Sequence, residues 1–382
     1  MRVAQGTNLP AEIVFRQVKD FWYRKVPNPR GRHSGKGSDM ESLTKRSFTA
    51  KEIENIAQAA FGCGCAHFEE LSEGWANSAY ALELEDGRSA VLKAAAESEE
   101  GRMRCERGLM RTEVEVIRRV ESLGTVPVPE IYAHHASKTI VPCEYFLMEK
   151  LEGASYDKIQ GELPQTQRDA IDRELGSYFR RIHSVTGTEF GYYLPNAANS
   201  TAWDDAFIAL MRDVMRDGQD AGMTLPMDDA TLERHLELHR NALREVKTPR
   251  LIHWDSWAGN VFVKNGRAES LIDFERALWA DPLMEYGFGK FGYSAAFGQG
   301  YAEEDARMNA DAEKGGAASR TASLPEGSER SQKIRRALYP LYLDLVMRVE
   351  CHYRGFGEEH TQWAHQNLQD GWERFLTATR DC

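Results

Sequence analysis

Residues 252–275 read IHWDSWAGNVFVKNGRAESLIDFE, with two apolar runs separated by the dipeptide Asn265-Gly266. An Asn-Gly pair between alternating apolar segments is a strong signal for a β-hairpin. With a loop of about four residues centred on this pair, Asn260 and Asp273 lie opposite each other at the open end of the hairpin. Asp255 lies just upstream in a loop. The stretch therefore predicts that two carboxylates and one carboxamide oxygen converge.

Hard oxygen ligands of this kind suit Mg²⁺, which typically takes one or two protein carboxylates together with substrate phosphates. A hairpin whose ends carry polar caps explains the same residues without a metal. The spacing from His253 through Asp255 to Asn260 is only moderately specific by itself. Its coupling to Asp273, 13 residues after Asn260 and across a predicted hairpin, favours the metal-binding interpretation.

Lys93 lies within the apolar segment AVLKA, residues 90–94. A charge in a buried strand is costly unless it is paired. One interpretation has Lys93 binding nucleotide phosphates while it pairs with an acid on the following helix. The other has its aliphatic part on a strand edge and its ammonium in solvent. Glu113 is the candidate partner, and Glu115, two residues away, stays open as an alternative.

Composition sets limits on the function. The chain has 382 residues, a net charge of −11 and a pI near 5.6, which argues against nucleic acid or an anionic membrane as the main partner. Its six scattered cysteines predict reduced thiols and a cytoplasmic location. Residues 1–39 instead carry a local charge of +5, from eight Lys or Arg against three acids, and predict a basic flexible extension.

The order of the elements predicts an α+β protein with two lobes. Residues 40–148 form a small β-rich N-terminal lobe, with a hairpin around Asp86-Gly87, and residues 149–153 form a hinge. Residues 154–382 form a larger, mostly helical lobe. The predicted helices lie at about 50–60, opened by a capping-box pattern of Thr49 and Glu52, and at 104–122, 165–184, 202–217, 230–245, 333–353 and 360–379. Residues 303–333 are poor in large apolar side chains and predict a mobile surface loop.

Several short motifs in this order resemble the aminoglycoside phosphotransferase and choline kinase-like family, relatives of the protein kinases. The resemblance covers about residues 45–380. The motifs that carry it are Gly74–Asn77, Val91–Lys93, Glu113, Val126–Pro129, Phe146–Glu149, Leu175–His183, His253–Asn260, Ile272–Phe274 and Asp281-Pro282.

The resemblance implies a bilobed protein kinase-like fold that binds Mg-ATP or Mg-GTP between its lobes. It gives Asp255 the role of general base and gives Asn260 and Asp273 the role of Mg²⁺ ligands. In the same way, Lys93 contacts the α- and β-phosphates while paired to Glu113. The remaining implied residues are Gly74, Asn77 and Ser78 at the phosphates, the backbone of Glu149 to Leu151 at the base, and His253 and Asp281 as structural support.

Glu275 follows Asp273-Phe274 where protein kinases have glycine, and no arginine precedes Asp255. Both departures speak against control by an activation loop. Together with the helical insertions at 185–250, Glu275 also disfavours a protein substrate, and we expect a small-molecule hydroxyl acceptor. The alternative is a nucleotide-binding pseudokinase or scaffold without turnover.

The acceptor is less well defined. Seven aspartates at 202–229 suit an amino-bearing acceptor such as an aminoglycoside, although a solvated acidic face is the simpler explanation.

Overall fold

The first helix begins where the capping box of the sequence predicts. The computed structural model describes residues 46–71, 77–314 and 324–380, so the predicted extension at 1–39 lies outside the described residues. Helix α1 spans Ala50–Phe61. The Thr49 hydroxyl accepts a hydrogen bond from the backbone N–H of Glu52, and the Glu52 carboxylate accepts one from the N–H of Thr49. Two of the first backbone donors of the helix are thereby satisfied.

A five-stranded antiparallel sheet follows, with the strand order β1-β2-β3-β5-β4. Its strands are β1 (Cys65–Glu70), β2 (Ser78–Leu84), β3 (Ser89–Ala94), β4 (Ile131–His135) and β5 (Tyr145–Glu149). The β2–β3 hairpin turns at Asp86-Gly87, where the φ of +86° at Gly87 suits the residue without a Cβ. This hairpin is confirmed, whereas β1 was not predicted.

The two faces of this sheet carry different helices. Helix α1 packs through Ile53 and Ile56 on the face formed by Tyr80, Leu82 and Leu92. Helix α2, Leu109–Glu121, packs on the opposite face through Met110 and Val114, against Val91, Phe146 and Met148. Because side chains alternate along a strand, Lys93 shares the face of Val91 and points toward α2.

The rest of the chain is mostly helical and contains two small three-stranded sheets. The strands are β6 (Ala154–Ser155), β7 (Gly191–Tyr192), β8 (Arg250–Ile252), β9 (Val261–Lys264), β10 (Arg267–Leu271) and β11 (Leu278–Ala280). The helices are α3 (Tyr156–Ile159), α4 (Gln165–Ile182), α5 (Trp203–Asp220), α6 (Asp229–Arg244), α7 (Ala295–Lys314), α8 (Glu329–Tyr353) and α9 (Glu358–Thr379). The sheet orders are β10-β9-β6 and β7-β11-β8. These elements confirm the predicted α+β class, with a small β-rich lobe and a larger helical one.

Helix α7 corrects the prediction of a surface loop at 303–333, since the helix continues to Lys314. It lies very close to α4, because a Cβ on Gly176 would come within 2.0 Å of the Phe297 carbonyl oxygen and one on Gly300 within 1.9 Å of that of Arg173. Glycine permits such close backbone contact because it has no Cβ. Residues 303–305 are held on α4 by ion pairs with Arg173, Arg181 and Arg180, and such long-range partners are not visible in the local sequence.

Two further features agree with the composition. Among the described residues, no helix combines the length and apolar character that crossing a bilayer requires. Cys63, Cys65, Cys105, Cys143 and Cys351 are all free thiols.

Candidate active site

The β9–β10 hairpin brings Asn260 beside the segment that leads into Asp273. The turn has two residues, Asn265-Gly266, rather than the four predicted. A register shift between Ala268 and Ser270 then pairs Leu271 with Val261, and the N–H of Ile272 donates to the Asn260 carbonyl oxygen at 3.0 Å. Ile272, not Asp273, is therefore opposite Asn260. The prediction was wrong by one residue. A regular hairpin with this turn would bring Leu271 opposite Asn260, and the bulge moves that position by one residue, to Ile272.

The loop from His253 to Asn260 is held by hydrogen bonds between its own ends. The Asn260 amide nitrogen donates to the carbonyl oxygen of Asp255 at 2.8 Å. Burial lowers the pKa of His253, so the ring is neutral. We assign the tautomer in which Nε2–H donates to the Ile272 carbonyl oxygen at 2.9 Å and Nδ1 accepts from the N–H of Asp255 at 3.3 Å. His253 thus ties the loop to the end of the hairpin.

Glu285, which was not among the predicted site residues, anchors the same loop. Its buried carboxylate accepts hydrogen bonds from the backbone N–H groups of His253 at 2.8 Å and Trp254 at 2.9 Å, and from the Ser256 hydroxyl at 3.1 Å. Burial alone would raise the pKa of Glu285, but hydrogen bonding and charge from His183 hold it below its ordinary value. An acid within the apolar run PLMEY, residues 282–286, was the available signal.

The contacts of Asp281, predicted as structural support for the site, go to α8 and to the turn after β11. Its fully buried carboxylate accepts from the Tyr339 hydroxyl at 2.7 Å, pairs with Arg335, and caps the turn after it through the N–H of Leu283 at 3.1 Å. The Tyr339 hydroxyl in turn accepts from the indole N–H of Trp203 at 2.8 Å. Asp281 therefore joins the end of β11 to α8.

Lys93 is at the centre of a buried ionic cluster that links the sheet, α2 and the end of the hairpin. Its Nζ lies 2.7 Å from Oε2 of Glu113, 2.6 Å from Oδ1 of Asp273 and 3.6 Å from Oε2 of Glu275. Glu115 instead pairs with Arg111 at 2.7 Å on the exposed side of α2. The contacts therefore favour Glu113 of the two candidate partners.

The cluster has a surplus of negative charge. Carboxylate oxygens of Glu113, Asp273 and Glu275 lie within 4.8 Å of one another around the single ammonium of Lys93. Burial raises the pKa of Glu113 and of Glu275, whereas the Lys93 ammonium outweighs burial at Asp273 and lowers its pKa. Asp273, the most exposed of the three, and the carboxamide oxygen of Asn260 offer the hard donors that fit Mg²⁺.

Asp255 lies in a partly buried position between this cluster and Arg276. Burial raises the pKa of its carboxyl to about 8, although the Arg276 guanidinium opposes the shift. A carboxyl with such a pKa can take up a proton near neutral pH, as a general base must.

Two residues at this site hold strained backbone conformations. Trp254, immediately before Asp255, has a φ of +64°, and Asp273 has a φ of +67°. Non-glycine residues reach this region at a cost of about 1–3 kcal/mol, and such positions concentrate at functional sites. The hydrogen bond from Trp254 to Glu285 and the ion pair of Asp273 with Lys93 hold these two residues in their strained conformations. The energy of these contacts offsets the cost of the strain.

The predicted nucleotide-binding residues are only partly brought together. Gly74 lies outside the described residues. Asn77 is buried with its amide nitrogen 2.7 Å from Oε2 of Glu275, which joins it to the Lys93 cluster. Ser78 is not brought to this cluster: it lies on the other face of β2, where its hydroxyl donates to the Arg46 carbonyl oxygen at 2.7 Å. Glu149 and Leu151 lie at the end of β5 and just after it.

Solved structures with this fold include aminoglycoside phosphotransferases. A thermostable mutant of aminoglycoside phosphotransferase APH(4)-Ia, in a ternary complex with ADP and hygromycin B, aligns with 85% of this chain and 98% of its own at 18% identity and a TM-score of 0.57. A protein assigned as a fructosamine-3-kinase, from Thermobifida fusca, aligns with 84% of this chain and 98% of its own at 19% identity and a TM-score of 0.58. At these identities the likeness shows the kinase-like fold alone.

The sequence comparisons give the family. No curated protein sequence matches the chain. The sequence profile of the phosphotransferase enzyme family (APH) matches residues 67–319, which is more than half of the chain. This chain therefore belongs to the phosphotransferase enzyme family and has its kinase-like fold.

Proposed function

We propose that this phosphotransferase moves the γ-phosphoryl group of ATP, or of GTP, to a hydroxyl group of a small molecule. The observation that carries the proposal is the position of Lys93 Nζ, which lies 2.7 Å from Glu113 and 2.6 Å from Asp273. This contact joins the small lobe to the end of the β9–β10 hairpin, and the loop with Asp255 and Asn260 leads into the same hairpin. Phosphoryl transfer depends chiefly on positioning and charge neutralisation, which such a cluster can supply.

In the proposed reaction, the acceptor hydroxyl oxygen forms a bond to the γ-phosphorus while the bond from that phosphorus to the β–γ bridging oxygen breaks. The hydroxyl proton passes to a carboxylate oxygen of Asp255, and ADP or GDP leaves. The raised pKa of Asp255, about 8, suits this proton transfer because base strength and ionisation are balanced near the working pH.

Lys93 contributes positive charge to the α- and β-phosphates, and Glu113 keeps its ammonium oriented. Asn260 and Asp273 would hold Mg²⁺, which when bound neutralises charge on the phosphate oxygens. The loop containing Gly74 and Asn77 would lie over the phosphates. The Ser78 hydroxyl is left out of the proposal, because it is bonded to the Arg46 backbone on the opposite face of the sheet. The backbone of residues 149–151 would bind the nucleotide base.

The test measures Mg²⁺-dependent release of ADP and GDP from the full chain with pooled hydroxyl acceptors: aminoglycosides, amino alcohols, sugars, sugar acids and sugar phosphates. Asp255→Asn is expected to lower the rate roughly 10²–10⁴-fold with little change in the Kd of the Mg-nucleotide, because only the base is removed. Asp205→Asn is the matched control, since Asp205 is an exposed aspartate paired with Arg240. Equal rates for the Asp255→Asn variant and the wild type would refute the assignment of the base. Nucleotide binding without release in any pool would favour a pseudokinase.

The cytoplasm stays our expected location on the evidence of the scattered free thiols. Cell fractionation with antibody detection tests it, and recovery of the protein outside the cytoplasmic fraction would contradict it.

A further inference from the structure

A cavity of about 700 Å³ opens beside the catalytic loop. Trp254, which precedes Asp255, lines it together with Glu275 and Arg276. The opposite walls come from α5 and from the segment that leads into α2. A volume of this size accommodates a small molecule. On the proposed function, we take this cavity as the acceptor site, because Trp254, the residue before Asp255, lines it.

The lining of this cavity is rich in arginine, although the whole chain has a net charge of −11. Among the described residues that line it are five arginines and two carboxylates. The arginines are Arg104, Arg107, Arg212, Arg216 and Arg276, and the carboxylates are Asp213 and Glu275. The excess of guanidinium groups favours a ligand with negative charge.

Three of the arginines are held by acids that are not part of the lining. Arg104 pairs with Asp217 and Asp220, Arg212 makes a two-point contact with Glu233 at 2.6 and 2.8 Å, and Arg276 pairs with Glu350. These acids neutralise the charge of their partners and fix them in place.

Arg107 and Arg216 are different, because among the described residues no acid holds either of them by a hydrogen bond. Among the described residues, Arg107 makes no hydrogen bond and no ion pair. Arg216 comes only within 3.7 Å of Asp213, one turn earlier on α5, and its side chain is 60% exposed. Asp213 in turn accepts a hydrogen bond from the Tyr192 hydroxyl at 3.2 Å. The charge of Asp213 acts on both guanidinium groups, so one carboxylate balances two of them and leaves capacity for an anionic group of the ligand.

The aspartates at 202–229 do not offset this charge. Only Asp213 lines the cavity. The other six pair with arginines, cap a helix or bond to a glutamine: Asp204, Asp205, Asp217, Asp220, Asp228 and Asp229. The acidic wall considered for a cationic acceptor is therefore mostly directed at the protein's own side chains.

We infer, on the basis of the proposed function, that the acceptor is a hydroxyl compound that also carries a carboxylate or a phosphate. Arg107 and Arg216 bind this anionic group, and the hydroxyl that is phosphorylated lies toward Asp255. A polycationic aminoglycoside does not fit this lining, because its ammonium groups would face arginines.

Calorimetric titration of the full chain, saturated with Mg²⁺ and ADP so that the phosphate site is filled, tests the inference with five probes. These are glucose, glucosamine, gluconate, glucose 6-phosphate and hygromycin B. We expect gluconate or glucose 6-phosphate to bind at least about tenfold more tightly than glucose, because each charge-assisted hydrogen bond contributes on that scale. Glucosamine and hygromycin B are expected to bind no more tightly than glucose. The gluconate and glucose 6-phosphate arms distinguish a carboxylate site from a phosphate site.

The double variant Arg107→Gln/Arg216→Gln should remove the preference for the anionic probe and leave the Kd of Mg-ADP unchanged. Arg111→Gln, an exposed arginine of α2 paired with Glu115, is the matched control and should keep the preference. Tighter binding of glucosamine or hygromycin B, no preference for either anion, or a preference that survives in the double variant would each overturn the inference. In those cases intact Mg-ADP binding leaves the proposed function standing. Failure of the wild type to bind Mg-ADP would refute both.

Discussion

Glu285→Gln exchanges one oxygen of the carboxylate that anchors the catalytic loop for an NH₂ group. Oε1 accepts from the backbone N–H groups of Trp254 and Tyr286 and from the Ser256 hydroxyl, and Oε2 accepts from the backbone N–H of His253. Because a carboxamide has only one acceptor oxygen, at least one of these three backbone N–H groups must face a donor in either orientation.

The magnitude follows from these contacts. An unsatisfied buried donor costs about 1–3 kcal/mol, and the loss of a charged acceptor weakens the bonds that remain. We therefore expect the free energy of unfolding to fall by about 3 kcal/mol. We also expect the rate of phosphoryl transfer to fall. Without the anchor, Trp254 can leave its φ of +64°, and this movement displaces Asp255, the next residue. A displacement of about 1 Å at a reacting group can lower the rate by roughly 10².

The assay compares Glu285→Gln with Tyr339→Phe. The Tyr339 hydroxyl bonds to Asp281 at 2.7 Å and to the Trp203 indole at 2.8 Å, so its removal costs a comparable number of buried hydrogen bonds away from the loop. Urea denaturation gives the stability of each variant, and the kcat of phosphoryl transfer is measured well below both midpoints. We expect Glu285→Gln to lower kcat about 10²-fold and Tyr339→Phe to leave it within about threefold. Equal kcat values in two equally destabilised variants would refute the assignment of Glu285 as the loop anchor.

Three further predictions follow from burial and backbone conformation. At saturating Mg-nucleotide, kcat/KM for the acceptor should rise with pH, and the apparent pKa of this rise should lie well above the ordinary pKa of an aspartate and no higher than about 8. A rise centred near pH 4 would contradict the raised pKa of Asp255. Lys93→Met should weaken Mg-ATP binding at least about tenfold. It should also make the protein less stable at pH 8 than at pH 5, because the carboxylates left without their cation have raised pKa values and must ionise as the pH rises; urea midpoints that do not change between these pH values would contradict this. Gly153→Ala should lower the free energy of unfolding by about 2–3 kcal/mol, since the φ of Gly153 is +94° and a Cβ would lie 2.4 Å from the Val263 carbonyl oxygen. Gly87→Ala, at a φ of +86° with open space around it, should lower the free energy of unfolding by about 1 kcal/mol. Equal urea midpoints for the two variants would refute the contribution of the steric clash.

Local signals predicted the parts of the fold that depend on a few neighbouring residues. The capping box at Thr49 and the turns at Asp86-Gly87 and Asn265-Gly266 lie where the sequence analysis placed them. Each works through hydrogen bonds or backbone angles within about four residues, so the pattern is visible in the sequence. The bulge near Ala268, which brings Ile272 rather than Leu271 opposite Asn260, leaves no such local pattern.

The contacts that complete the site are long-range and were harder to foresee. Glu285 lies about 30 residues after the loop that it anchors, and nothing in its own neighbourhood names its partners. The arginines of the cavity come from two separate segments, α5 and the residues before α2, together with Arg276. The aspartates at 202–229 form a group in the sequence, but their charge is largely neutralised by arginines such as Arg240, which only the fold brings close.

Helix α2, which carries Glu113, is tied at its N-terminal side to the helical lobe. Arg104 donates to Asp217 from its backbone N–H at 2.9 Å and to Asp220 from its side chain at 2.8 Å, and Glu106 accepts from Arg354 of the segment after α8 at 2.6 Å. A rotation of α2 that carries this preceding turn with it would break these pairs together, including the nearly buried contact of Glu106 with Arg354. The resting molecule is therefore already assembled, and we expect its turnover to follow the supply of nucleotide and acceptor rather than a switch in the position of this helix.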